Sequence, residues 1–190
     1  MFIPILLFVA TLAAAQQPKP CETPPQWEGR FVRTDYEKKF FQAAKISYDE
    51  NEKRVREIEE IEIDNDRDYY DVLYLHNMNK EYRLNLRTRK CNTTTLSRPW
   101  FPFGVPPEAE YDGEAVIGPV NIDNEHVTIV RFHGRVAEGD FFGTVSFPDC
   151  IPINSGFFSN RTGFVETTFF DITTGIPDPT VFNPPSECTP

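Results

Sequence analysis

The sequence predicts an all-β protein folded as an antiparallel meander, and three observations predict it. Periodicity is mostly two: in Lys80–Lys90, Tyr82, Leu84 and Leu86 alternate with Glu81, Arg83, Asn85 and Arg87, so one face is buried and the other wet. Turn-forming residues interrupt the apolar pattern at short intervals, as in Asp49-Glu50-Asn51-Glu52 and Asn77-Met78-Asn79-Lys80. No stretch sustains a helical apolar face, and no internal repeat is present.

Taken in order, the chain opens on targeting information. Phe2 to Leu12 is almost unbroken apolar sequence, and Ala13-Ala14-Ala15 supplies the small residues of a cleavage site, so residues 1–15 read as a secretory signal peptide, although Lys and Arg are missing from its start. The apolar run is shorter than the ~20 residues of a spanning helix. Residues 16–190 are expected as one domain, without a transmembrane anchor, in the lumen or outside the cell. Residues 16–29, rich in Pro and Gln, are expected as an extended arm tied down at Cys21. Strands follow at Phe31–Asp35, Lys39–Asp49 and Arg54–Ile63. The last is dense in charge, but Val55, Ile58, Ile61 and Ile63 are β-branched and its charges form no helical face. The phase change between Ile58 and Ile61 predicts a bulge. Tyr70–Asn77 and Lys80–Lys90 form a hairpin, and His126–Val136, Asp140–Phe147, Asn154–Phe158 and Gly163–Thr173 complete the strands.

Composition narrows function. Seventeen Phe, seven Tyr and two Trp demand a packed core or a lined cavity. A net charge of −10 argues against nucleic acid and against charge-driven binding to anionic membranes. Cys21, Cys91, Cys150 and Cys188 are even in number and lack any Cys-x-x-Cys pair, which reads as two disulfides in one of three connectivities. Asn92-Thr93-Thr94 and Asn160-Arg161-Thr162 are glycosylation sequons.

Catalytic signatures are missing: no Gly-x-Ser-x-Gly elbow, no zinc helix and no phosphate loop. His126 and His133 fall on opposite strand faces, which suits no metal pair. The chain reads as a non-enzyme that requires no cofactor. From Asp49 to Asp71 there are eleven carboxylates and four basic residues. Within that run Asp64, Asp66 and Asp68 alternate as oxygen ligands of calcium do, although the Gly and Glu of an EF-hand are replaced by Tyr69 and Leu75. Calcium is the one metal these residues suggest.

Tyr69 to Leu75 is apolar on both faces, which places Leu73 in a strand covered on two sides. Phe141, Val145 and Phe147 alternate in a second strand, and Phe169 lies in the carboxy-terminal one. The segment Trp100-Phe101-Pro102-Phe103 is too apolar for a free loop and its prolines bar it from a ladder. Together these residues are expected to line an apolar pocket, with Trp100, Phe101 and Phe103 across its mouth.

A family resemblance now appears. The arm Pro18-Lys19-Pro20-Cys21-Glu22-Thr23-Pro24-Pro25-Gln26-Trp27-Glu28-Gly29-Arg30 resembles the amino-terminal signature of the ependymin-related proteins. So do Ile46-Ser47-Tyr48-Asp49 with Arg54-Val55-Arg56, Pro99-Trp100, Phe147-Pro148-Asp149-Cys150 and Phe169-Phe170-Asp171-Ile172. Gly175-Ile176-Pro177-Asp178-Pro179, Val181-Phe182 and Pro184-Pro185-Ser186-Glu187-Cys188 close the series in family order. The resemblance implies two stacked antiparallel sheets in a curved half-open barrel, similar to bacterial lipoprotein carriers, around an apolar pocket. It implies a secreted or lysosomal glycoprotein that forms homodimers and binds a hydrophobic or lipid ligand, with calcium binding and cell–matrix adhesion as further properties. It also implies the pairing of Cys21 with Cys150 and of Cys91 with Cys188. A calcium-dependent adhesion protein of the extracellular matrix is the alternative function. A lipocalin barrel is the alternative fold, but its amino-terminal Gly-x-Trp is absent, because Pro25-Gln26 precedes Trp27.

Overall fold

The computed structural model describes residues 17–96, 98–137, 139–161 and 163–189. The expected signal peptide lies outside them. Eleven antiparallel strands form one sheet: β1 (Gln26–Asp35), β2 (Phe40–Asp49), β3 (Arg54–Ile63), β4 (Asp66–Leu75), β5 (Lys80–Asn85), β6 (Cys91–Thr95), β7 (Glu110–Ile117), β8 (Val127–Val136), β9 (Gly139–Ser146), β10 (Pro152–Ser159) and β11 (Gly163–Thr174). Their order is β6-β5-β4-β3-β2-β1-β11-β10-β9-β8-β7, so the sheet is not closed into a barrel. Each half is a meander of sequence neighbours. The halves join through β1 and β11, where Phe31 stands opposite Phe169 and Arg33 opposite Thr167.

The amino-terminal hairpins turn tightly. Lys39, Lys53, Asp64 and Asn79 stand at the successive tips with φ of 48°, 49°, 57° and 55°. Left-handed residues give such turns a twist that matches the strands they join.

On the inner face of β1–β4 the core is aromatic. Trp27 is fully buried, 5.2 Å from the ring of Phe103 and 6.1 Å from that of Phe169. Tyr48 stacks on Trp100 at 5.5 Å, and its hydroxyl accepts the Phe103 N–H at 3.1 Å. Residues 98–109, following Leu96, therefore cross this face as a strap, held by Leu96, Trp100 and Phe103. Thr23 donates to the Phe103 carbonyl at 3.2 Å, and Val105 N–H donates to the Cys21 carbonyl at 2.8 Å, which ties the amino-terminal arm to the strap. Cys21 is bonded to Cys150 beyond β9.

On the opposite face the carboxy-terminal tail covers β3–β5. Phe182 packs with Leu73 and Tyr82, and the Arg54 guanidinium lies 4.3 Å from the Phe182 ring centre. Arg56 donates to the carbonyls of Val181 and Asn183 at 2.6 and 3.1 Å. Cys91 is bonded to Cys188, which fixes the tail to β6. β4 is consequently covered twice, with Val72 and Tyr74 inward and Leu73 under the tail.

Three local expectations are corrected. The bulge between Ile58 and Ile61 does not form, because β3 pairs without a break with both β2 and β4. Instead Ile58 points outward, 45% exposed, while Glu57 and Glu59 join Val55 on the inner face, where arginines receive them. β1 begins at Gln26, inside the stretch expected as arm, and the strand expected over Lys80–Lys90 ends at Asn85. β6 and β7 form the two sheet edges, which periodicity does not predict; β6 is almost wholly exposed and β7 mostly so, and neither carries a full apolar face.

Candidate functional site

Residue size along the cross-strand rows produces a hollow on the inner face. One row reads Gln42, Arg33, Thr167, Ser155, Gly143 and Phe132 across β2, β1, β11, β10, β9 and β8. Flanking it on one side are Val165, Phe157 and Phe141, and on the other Phe31, Phe169 and Val145. The middle row is small where its neighbours are bulky. At Gly143 an added Cβ would meet nothing within 4 Å. The result is a cavity of about 370 Å³, lined chiefly by Phe141, Val145, Phe157, Val165 and Phe169 below, with Thr23, Gly104, Val105 and Pro106 of the arm and strap above. That volume falls in the ~300–1,000 Å³ range of small-ligand sites, which are mostly apolar with a few fixed polar groups.

The arm and strap are closely fitted over this hollow. Gly104 has φ of 150°, and a Cβ there would approach the Cys21 carbonyl oxygen at 3.1 Å. Glu22 and Gly104 form an isolated bridge. A side chain at 104 would push apart the two segments that roof the cavity.

A polar cluster shares the inner face. Arg33, which lines the cavity, donates from Nε to Thr167 Oγ1 at 3.1 Å and from Nη1 to Gln42 Oε1 at 2.9 Å. Gln42 in turn donates to Glu59, and Arg83 pairs with Glu59 at 3.0 Å. Arg98, from the strap, stacks on Tyr74 at 4.8 Å. Burial pushes the carboxyls of Glu57 and Glu59 up from their ordinary range, and the nearby arginines only partly oppose it. Burial likewise raises the phenols of Tyr48 and Tyr74.

The structure gathers only some of the residues expected at a pocket. Phe141, Val145 and Phe169 line the cavity. Leu73 does not: alternation along β4 sends it to the opposite face, under Phe182. Phe147 lies past the end of β9, 48% exposed, and is not in the cavity wall. Trp100 and Phe103 pack into the aromatic core beside Trp27 and Tyr48, so they anchor the strap without lining the cavity. Phe101 is 73% exposed and borders a separate depression with Arg135, Val136 and Phe157. Residues that sequence reading missed include Gly143, Arg33, Phe157 and Val165. Only the cross-strand register, which alternation does not reveal, brings them together.

The acidic run is dispersed. Asp64 faces Lys39 at 3.3 Å. Asp68 accepts from Tyr70 at 3.0 Å, from Asn85 at 2.6 Å and from the Tyr69 N–H at 3.0 Å. Those bonds hold its carboxyl below the usual range. Asp66 opens β4, exposed. Among the described residues no group of three or more His, Cys, Asp or Glu is arranged to hold a metal ion. Asn92, on edge strand β6, and Asn160, at the turn after β10, are both exposed.

Known proteins resemble this chain along its length. It is 28% identical over 192 residues to mammalian ependymin-related protein 1 of Rattus norvegicus, covering 99% of this chain and 84% of the relative. Among solved structures, an uncharacterized conserved protein from Thermus thermophilus superposes at TM-score 0.48 with 8% identity over 88% of each chain. A LolA superfamily protein from Nitrosomonas europaea superposes at TM-score 0.33 with 9% identity, over 85% of this chain and 90% of that one. The family model described as Ependymin matches residues 64–188, a span that runs from the turn before β4 to the cysteine that fastens the tail, and the chain belongs to the ependymin family.

Proposed function

We propose that this protein is a secreted or lysosomal glycoprotein that holds an apolar or lipid ligand in the cavity between its sheet and its strap. On this reading residues 1–15 are the leader and residues 16–190 one binding domain, which acts by sequestering its ligand and not by transforming it. The observation that carries the reading is the hollow itself: a row of small residues, Thr167, Ser155 and Gly143, set between two rows of Phe and Val under a roof fastened by the Cys21–Cys150 bond. A sheet that needed only a core would pack side chains into such a row, because protein interiors are filled to close-packed density. Asn92 and Asn160 are exposed and accessible to a glycosyltransferase, which supports passage through the secretory route. No helix among the described residues is long and apolar enough to cross a membrane.

The test is mass spectrometry of organic extracts from the folded protein, both as purified and after incubation with mixed lipids. A lipid in near-stoichiometric amount is the expected result. Protein that yields none under either condition would overturn the proposal.

A further inference from the structure

Arg33 carries the only formal charge among the described residues that line the cavity, and an alkyl ligand alone leaves it unused. Its position is fixed from three sides. Thr167 and Gln42, which accept its two hydrogen bonds, are 6% and 4% exposed, and the Phe31 ring centre lies 4.9 Å from the guanidinium carbon. Both acceptors are neutral oxygens. Among the described residues no carboxylate comes within 4.0 Å of this guanidinium: the charges of Glu57 and Glu59 act on it only from beyond direct contact, Glu59 being ion-paired with Arg83, and Asp171, on the outer face, pairs with Arg30. Nη2 donates to no described residue, whereas Arg56, Arg67 and Arg135 are each paired with carboxylates.

A cation partly withdrawn from water and contacted only by neutral oxygens is incompletely compensated. An arginine fork that is held in place but not directly ion-paired matches the geometry of a carboxylate or phosphate. The rest of the wall takes hydrocarbon. The protein as a whole, at −10, repels anions, so an anionic group would be drawn only by a local cation of this kind.

We propose that the cavity selects a single-chain amphiphile with an anionic head, a long-chain carboxylate being the simplest, with its head on Arg33 and its chain among Phe141, Val145, Phe157, Val165 and Phe169. This rests on the ligand-binding reading above and names the ligand class. Gln42 and Thr167 act as positioning residues.

Calorimetric titration of the full chain at neutral pH with decanoic acid and with decanol separates the two ideas. The chain is the same and only the head differs. The acid should bind about tenfold to a hundredfold more tightly, the range expected of one charge-assisted contact. In Arg33→Met that preference should vanish while decanol still binds, and Arg33→Lys should recover part of it. Equal affinity of the unaltered protein for acid and alcohol would overturn the anionic head and leave the cavity reading standing. A preference that survives in folded Arg33→Met would overturn the role of Arg33. Binding of neither compound would overturn both readings together. The comparison of acid with alcohol needs no variant, so it stands even if Arg33→Met fails to fold.

Discussion

Replacing Gly143 by leucine should narrow the cavity without harming the fold. Gly143 lies inside β9, its φ is not left-handed, and a Cβ built on it meets no atom within 4 Å. The new side chain has four carbons, and they occupy space an alkyl ligand would otherwise fill. At ~0.8 kcal/mol per buried methylene, excluding four costs about 3 kcal/mol of binding, roughly 150-fold in Kd. Stability should move the other way. Gly within a strand is worth roughly 0.5–1 kcal/mol less than Ala, and leucine adds apolar burial among Phe141, Val145 and Phe169. The assay pairs a thermal melt with titration of a fluorescent fatty acid. Gly113→Leu is the control, because a Cβ there also meets nothing but β7 lies outside the cavity. A folded Gly143→Leu protein with unchanged affinity would refute the assignment of the ligand to this hollow. A large loss of stability would refute the claim that the row is empty.

Three further outcomes follow from the same structure. Glu57 and Glu59 are held above their ordinary value of 4.5 by burial, so the folded protein takes up protons more readily than the unfolded chain. Their contribution is full below that value and is lost as pH rises through the raised range. His76, lowered by its own burial, works in the opposite sense around pH 6.5 but is more exposed. The melting temperature should therefore rise as pH falls from neutrality toward 4.5, and Glu57→Gln should flatten the rise; an identical slope in the variant would show that Glu57 is not its source. Replacing Cys21 and Cys150 by serine opens a loop spanning 129 residues and should cost about 5 kcal/mol in the chain-entropy account, measured by denaturant unfolding. Phe182→Ala removes the anchor of the tail, 4% exposed, and should cost about 3–5 kcal/mol. A loss below about 1 kcal/mol in that variant would mean that Leu73 and Tyr82 do not depend on the tail for cover.

What can be read from the sequence follows the physics of each segment. Strands with one wet and one dry face announce themselves, as Tyr82 and Leu84 do on β5. The edges do not, because Cys91-Asn92-Thr93-Thr94-Thr95 has no apolar face and β7 carries a register shift between Tyr111 and Gly113. On β3 the branched residues suggest an inward Ile58, yet the interior there is built for Glu57 and Glu59 by Arg33, Arg83 and Arg98. That compensation comes from three distant segments and leaves no local trace. Leu73 shows a similar limit. Its strand is apolar on both sides, and only the packing of Phe182 decides which side belongs to which cover. The cavity is hidden for a related reason: a glycine in a strand reads locally as a weak spot, and becomes a hollow only when Ser155 and Phe132 are known to be its neighbours.

An unclosed sheet also has a social consequence. β6 and β7 each end the ladder with a row of backbone donors and acceptors that another chain's strand could adopt, the usual first step toward fibres. β7 is guarded by Glu110, Asp112 and Glu114 and by its irregular register, which spoil the flat template a foreign strand needs. Besides the disulfide-bonded Cys91, β6 has only threonines beside Asn92, whose side chain is exposed on the rim itself. A carbohydrate there would act as a fender: it would keep neighbouring molecules from extending the ladder.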